Sequence, residues 1–150
     1  MITKLRVDAT NVDFKELVKN LDKDLAKRDG DDHSFYAQFN KIDVIKHAVV
    51  VYKNNIPIGC GAIKRYNSLT TELKRMYTMP SYRGKGIASI ILKELEIWAI
   101  ELSYESCILE TGKKQPEAIA LYKKMGYHIT ANYGQYKNIE NSLCFEKKLK

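Results

Sequence analysis

The chain has 150 residues, 45% apolar and 29% charged, a size and mix suited to one domain with its own hydrophobic core. No run approaches the roughly 20 apolar residues of a membrane helix, and the N-terminal "MITKLRVDATNVDFKEL" lacks the apolar core of an export signal. A net charge of +7 favours anionic partners in general, but with no RNP-like strand and no helix-turn-helix pattern nucleic acid is not an expected partner.

In chain order, "TKLRV" alternates like a short strand and Asp8 to Asn11 is turn chemistry. Phe14, Leu17, Val18, Leu21 and Leu25 then share one helical face, and the helix is expected to end near the breakers of "RDGDDH". The following "SFYAQFN" reads either as a lid or as packed aromatics. "DVIKHAVVVYK" and "IGCGAIKRY" are rich in strand formers and flank the turn "NNIP", which predicts an antiparallel hairpin. A third run, "TTELKRMYTM", stops at Pro80. Gly59 and Gly61 inside a strand suggest close backbone approach or a bulge.

Beyond Pro80 the period changes. Ile87, Ile91, Leu95, Trp98 and Leu102 form a helical stripe, predicting a helix from about Gly84 to Ser103. "SCILET" reads as a buried strand, Thr111 to Gln115 as a loop, and Pro116 as a first helical residue. Ala118, Leu121, Tyr122 and Met125 continue that helix to a Gly126 cap, and "YHIT" and "NSLCFEKKL" supply closing strands. The order is β-α-β-β-β-α-β-α-β-β. It fits a single α/β domain over 1–150, with a mixed sheet, helices on its faces and a parallel crossover across 71–110.

Cys60, Cys107 and Cys144 are odd in number and lack a CxxC pattern, so neither a disulfide framework nor a zinc site is expected. They read as buried reduced thiols, which points to the cytoplasm. His33, His47 and His128 are isolated, and no metal is expected.

The chemistry gathers at "PSYRGKGIASIIL". A dinucleotide fingerprint fails because Ser89 replaces its third glycine, and the spacing of a P-loop is not met. What remains is a strand end, a basic glycine turn and a helix start. Consecutive N–H groups from Arg83 to Ala88 would form a nest for a pyrophosphate, with Gly84 and Gly86 allowing close approach and Arg83 and Lys85 adding charge.

The stretch "ELKRMYTMPSYRGKGIASIILKELEIWA" resembles motif A of the GNAT superfamily of N-acetyltransferases, with Arg83-Gly84-Lys85-Gly86-Ile87-Ala88 meeting its [RQ]-x-x-G-x-[GA] loop. "EAIALYKKMGY" resembles that family's second signature, A-x-x-LY-x-x-x-GF/Y, and the likeness spans most of residues 44–149. The resemblance implies a largely antiparallel sheet of about six or seven strands with one splayed parallel pair and helices on both faces. It also implies acetyl-CoA as co-substrate. Met76, Tyr77 and Thr78 would offer backbone groups to its pantetheine arm, and one N–H there would polarise the thioester carbonyl. The loop Arg83, Gly84, Lys85, Gly86, Ile87 and Ala88 would hold its pyrophosphate, and Gln115 stands where many members carry an asparagine that contacts the cofactor.

By the same resemblance an acceptor amine attacks the thioester directly. Glu72 is the implied general base, with Glu110 its rival, and Tyr122 the acid that protonates the departing thiolate. Lys74 and Arg75 follow Glu72 on its strand, and a nearby cation makes a carboxylate a weaker base. The acceptor site is expected from the N-terminal region, with Asp31, Asp32, His33, Phe35, Tyr36 and Phe39, and from the loop with Tyr133, Tyr136 and Asn138. A small-molecule amine is the expected acceptor, a protein or peptide N-terminus the alternative, and a non-catalytic acyl-CoA sensor the reading from another class. Dimers are common in that family, and a homodimer is compatible with this chain.

Overall fold

The computed structural model describes residues 1–29 and 45–150; the expectations attached to Asp31, Asp32, His33, Phe35, Tyr36 and Phe39 lie outside the described residues. The element order within them is the one the periodicities predict: β1 (Ile2–Val7), α1 (Val12–Asp29), β2 (His47–Lys53), β3 (Ile56–Arg65), β4 (Thr70–Thr78), α2 (Ile87–Glu101), β5 (Ser106–Gly112), α3 (Pro116–Lys124), β6 (His128–Thr130) and β7 (Ser142–Lys148). Asn11 caps α1, its side-chain oxygen accepting the Phe14 N–H at 2.9 Å. Asn54 and Asn55 both hold positive φ, 51° and 68°, the two-residue turn whose twist suits a β2–β3 hairpin.

The strands form one seven-stranded sheet in the order β1-β2-β3-β4-β5-β7-β6. Every neighbouring pair is antiparallel except β4 and β5, which run parallel. The last strand inserts between β5 and β6, an order that sequence periodicity does not encode.

Two apolar clusters lie on opposite faces of the sheet. On one face Val49, Val51, Ile63 and Leu73 meet Ile91, Leu92 and Leu95 of α2 and Tyr122 of α3. On the other, Ala48, Val50, Cys60 and Ala62 meet Phe14, Leu17, Val18 and Leu21 of α1. The strand residues alternate between the clusters, as the two-residue period of a strand requires.

Helix α2 departs from expectation twice. It begins at Ile87 rather than near Gly84, because Gly84 and Gly86 take left-handed φ of 76° and 82° and Gly86 becomes the N-cap. Its buried stripe is Ile87, Ile91, Leu92, Leu95 and Ala99, which leaves Leu102 exposed beyond the helix end. Trp98 lies at the margin, where the Arg6 guanidinium carbon sits 4.8 Å from its ring centre.

All three cysteines are reduced and buried, as expected. Among the described residues no helix is long and apolar enough to cross a membrane, and no group of three or more histidine, cysteine, aspartate or glutamate side chains gathers in a way that could hold a metal ion.

The glycines of β3 mark close approach, and a bulge lies opposite one of them. The β3–β4 register shifts between Cys60 and Ala62, so Gly61 faces both Arg75 and Met76, and Arg75 takes a left-handed φ of 60°. A Cβ on Gly61 would stand 2.5 Å from the Met76 sulfur and 2.7 Å from Cγ2 of Ile91. Gly61→Val is therefore expected to lower the unfolding free energy by about 2 kcal/mol through overpacking, read from urea denaturation. An unchanged midpoint would mean that α2 does not rest on this strand as tightly as the distances indicate.

Candidate active site

The parallel pair holds for only three residue pairs, Thr70 with Ser106, Thr71 with Cys107 and Glu72 with Ile108. Beyond Glu72 the strands part, and a cleft of about 560 Å³ opens between them. Its walls include Met76, Tyr77 and Thr78 of β4, Glu110 and Thr111 of β5, and Tyr122 of α3. Unpaired strand edges leave backbone donors and acceptors available to an extended ligand.

At the mouth lies the glycine loop. Gly84, Gly86, Ala88 and Ser89 line the cleft, and a Cβ built on either glycine meets nothing within 4 Å. The first intrahelical bond of α2 runs from the Ile90 N–H to the Gly86 carbonyl at 3.2 Å, so the N–H groups of Ile87, Ala88 and Ser89 precede the helical ladder. With no acidic residue in the first turn, this helix start is an electropositive concavity.

Arg83 sits differently from the simple nest. Its N–H is bonded to the Pro80 carbonyl at 3.3 Å. Its guanidinium donates to the Thr78 carbonyl at 2.8 Å and pairs with Asp24 of α1 at 3.1 Å. Arg83 thus ties the loop to β4 and α1, and its charge is already shared with a carboxylate. Lys85 is exposed, with its ammonium 5.7 Å from the Tyr82 ring centre, and it is not on the cleft wall.

The inner end of the cleft is polar and buried. Glu72, only 7% exposed, accepts a hydrogen bond from the Tyr133 hydroxyl at 2.7 Å. Lys74 lies on the same side, its ammonium 3.6 Å from Glu72 Oε2 and donating to the Tyr136 hydroxyl at 3.4 Å. Burial, with Glu72 close by, pushes the Tyr133 phenol well above its usual range. Arg75 turns to α1 instead and pairs with Asp22 at 3.0 Å. Glu110 also lines the cleft, close enough to act electrostatically on Lys74, Tyr122 and Tyr136.

Tyr122 is buried against Tyr127 and Phe145, with ring centres 5.9 Å and 6.0 Å away. Burial chiefly, then Cys107 and Glu110, raises its phenol, so it carries its proton throughout the neutral range. Gln115 is the N-cap residue of α3 and lines the cleft without capping the helix through its side chain.

Of the residues singled out from the sequence, Glu72, Met76, Tyr77, Thr78, Arg83, Gly84, Gly86, Ile87, Ala88, Gln115, Tyr122 and the rival Glu110 all line this one cleft. His47 lies elsewhere, edge-on to Trp98 at 4.8 Å, and His128 is exposed on β6. Asn138 is exposed, whereas Tyr133 and Tyr136 fold inward and stack edge-on at 5.7 Å. The contact between Tyr133 and Glu72 is the feature sequence reasoning missed. It joins residues 61 positions apart, and only the tyrosine-rich composition of that loop hinted at it.

The sequence model of the Acetyltransferase (GNAT) family matches residues 14–127. An IAA acetyltransferase of Azospirillum brasilense is 34% identical over 106 residues, 67% of this chain and 67% of its own length. The uncharacterized N-acetyltransferase YsnE of Bacillus subtilis (strain 168) is 33% identical over 93 residues, 61% of this chain and 62% of its own. The chain thus spans about two thirds of these relatives. Among solved structures, a Klebsiella pneumoniae protein assigned as an acyl-CoA N-acyltransferase aligns over 100% of this chain and 99% of its own, with a TM-score of 0.84 and 26% identity. A GNAT family acetyltransferase of Elizabethkingia anophelis, solved with acetyl-CoA bound, shares the fold at a TM-score of 0.73 and 19% identity, over 98% of this chain and 97% of its own.

Removing the Tyr133 hydroxyl takes from a buried carboxylate one of its two described partners. Tyr133→Phe is expected to cost about 2 kcal/mol of stability, the scale of a hydrogen bond to a charged group, measured by urea unfolding. A cost near zero would show that Glu72 is held by Lys74 alone.

Proposed function

The chain belongs to the GNAT acetyltransferase family, and from that premise we propose that it moves an acetyl group from acetyl-CoA to a primary amine of a small-molecule acceptor within a ternary complex. The observation that carries this reading is the fork between β4 and β5, with a glycine loop and helix start at one end and a buried carboxylate at the other. Acetyl-CoA supplies the activated acetyl group.

The chain's own residues divide the work. The N–H groups of Ile87, Ala88 and Ser89, approached over the bare surface of Gly84 and Gly86, suit a pyrophosphate. Met76 and the Thr78 N–H offer backbone to the pantetheine arm on the edge β4 turns away from β3, since Tyr77 and Met79 direct theirs to Cys60 and Ile58; the Thr78 carbonyl is engaged by Arg83 and serves the loop instead. Gln115 stands on the cleft wall as a further cofactor contact.

Glu72 is the base in this reading. An alkyl ammonium has a pKa near ~10, so at neutral pH a proton must leave before nitrogen can attack. Glu72 sits where β4 and β5 part, and Tyr133 and Lys74 fix its carboxylate in place. Tyr122 keeps its O–H and supplies a proton as the thiolate departs. The Glu72 carboxylate and Tyr136 are both buried on the cleft wall, and a buried acceptor end favours a small acceptor over a folded protein surface.

The test is thiol release from acetyl-CoA across amines, amino acids, polyamines, aminoglycosides and peptides, with calorimetry of acetyl-CoA binding alongside. Turnover with a small amine is the expected result. Tight binding without turnover on any class would favour a sensor, and turnover on peptides alone would replace the acceptor assignment. Gly86→Val adds a side chain both at a left-handed position and in the open cradle, and is expected to weaken acetyl-CoA binding at least about tenfold. Tyr122→Phe is expected to leave that binding intact while slowing turnover about a hundredfold. An unchanged rate would remove Tyr122 from the mechanism.

A further inference from the structure

Lys74 is a primary amine in an unusual position. Its side chain is 10% exposed, yet it lies on the cleft wall, on the same side of β4 as Glu72. The bulge at Arg75 follows it directly, so Lys74 is the last side chain before β4 changes register. Its described polar contacts are both long, 3.6 Å to Glu72 and 3.4 Å to the Tyr136 hydroxyl, with the Tyr136 ring centre 5.8 Å away. Among the described residues, this ammonium with three donors has only these long contacts, which compensate its burial poorly. Burial lowers its pKa, Lys64 and Arg75 lower it further, and Glu72 and Glu110 oppose them. Lys124, another lysine on the cleft wall, is exposed.

We propose that Lys74 is a self-acetylation site, its ε-amine taking the acetyl group from acetyl-CoA in this cleft when no acceptor is present. The proposal rests on the assignment of acetyl-CoA to the cleft and of Glu72 as base. It adds that an amine of the chain itself stands within reach of that base.

The step balances without a further reagent. Glu72 accepts one proton from the Lys74 ammonium. The nitrogen lone pair forms an N–C bond to the thioester carbonyl carbon, and the C–S bond breaks with its electron pair leaving on sulfur. The nitrogen's surplus proton passes to that sulfur, giving coenzyme A thiol and an Nε-acetyl-lysine, and Glu72 returns its proton to solvent. The product amide no longer carries the positive charge that faces Glu72, so modification alters the electrostatics of the acceptor end.

The test uses the purified full chain with acetyl-CoA and no added amine, followed by intact mass and peptide mapping, with acetyl-CoA binding measured by calorimetry on the same preparation. Lys74 is expected to gain one acetyl group at least about tenfold faster than the exposed Lys113, Lys114 and Lys124, a modest share of what a positioned base supplies. Glu72→Gln, checked for folding by circular dichroism, is expected to remove that advantage. If acetyl-CoA binds and Lys74 is acetylated no faster than the exposed lysines, the self-acetylation site is wrong while the cofactor assignment stands. If acetyl-CoA does not bind, the assignment of the cleft fails and the proposal falls with it.

Discussion

The structure depends on β4 leaving its parallel partner after Glu72. An unbroken pair would spend the edges of both strands on each other and close the sheet. The bulge opposite Gly61 accompanies the departure, with Arg75 in a left-handed conformation that costs about 1 kcal/mol or more for a residue with a Cβ. Two contacts and one missing atom accommodate that conformation: the Arg75–Asp22 ion pair at 3.0 Å, the packing of Met76 against the α2 cluster, and the absent Cβ of Gly61. Arg75 is buried while Asp22 is half exposed, so this pair does more to fix geometry than to add stability. A helix from each side of the sheet therefore holds the bulge in place.

Polar groups at the inner end follow from the same geometry. A buried carboxylate survives in a folded chain only when it is paired and hydrogen-bonded. Glu72 meets that requirement through Tyr133 and Lys74, which brings the 131–141 loop over the cleft. A comparable cluster lies outside the cleft, where Glu96 accepts from Tyr127 at 2.8 Å and from Lys147 at 3.0 Å. That cluster joins α2 to β7 and to the end of α3, and Tyr127 in turn stacks on Tyr122. One network sets the carboxylate and the other backs the phenol.

Much of this was legible in the sequence wherever the cause is local. The Asn54-Asn55 turn, the Pro116 start, the alternating strands and the paired glycines before α2 each act within a few residues, and local chemistry determines them. The α2 stripe differs from its spacing at the C-terminal end, since spacing marks a helical face but not where the helix stops, and Leu102 falls past its last turn. Arg75 carries no sequence signal for a positive φ, because the strain is imposed by tertiary contacts. Arg83 reads as a phosphate ligand in its motif, yet Asp24 and the Thr78 carbonyl claim its guanidinium. The insertion of β7 between β5 and β6 and the contact of Tyr133 with Glu72 join distant segments, and no periodicity reports them.

A continuous sheet separates its two faces. Leu73 belongs to the cluster beneath α2 and α3, so Glu72 and Lys74 project to the opposite side, where the loop tyrosines meet them. Tyr122 comes from α3 on the first side. In an unbroken sheet a strand would stand between that phenol and that carboxylate. Where β4 and β5 part, both line one cleft. The fork thus provides a place for an extended ligand and also brings a proton donor from one face together with a proton acceptor from the other. Strand separation and acid–base pairing are consequences of one break in the hydrogen-bond ladder, and Glu72, the last residue of β4 paired with β5, marks its apex.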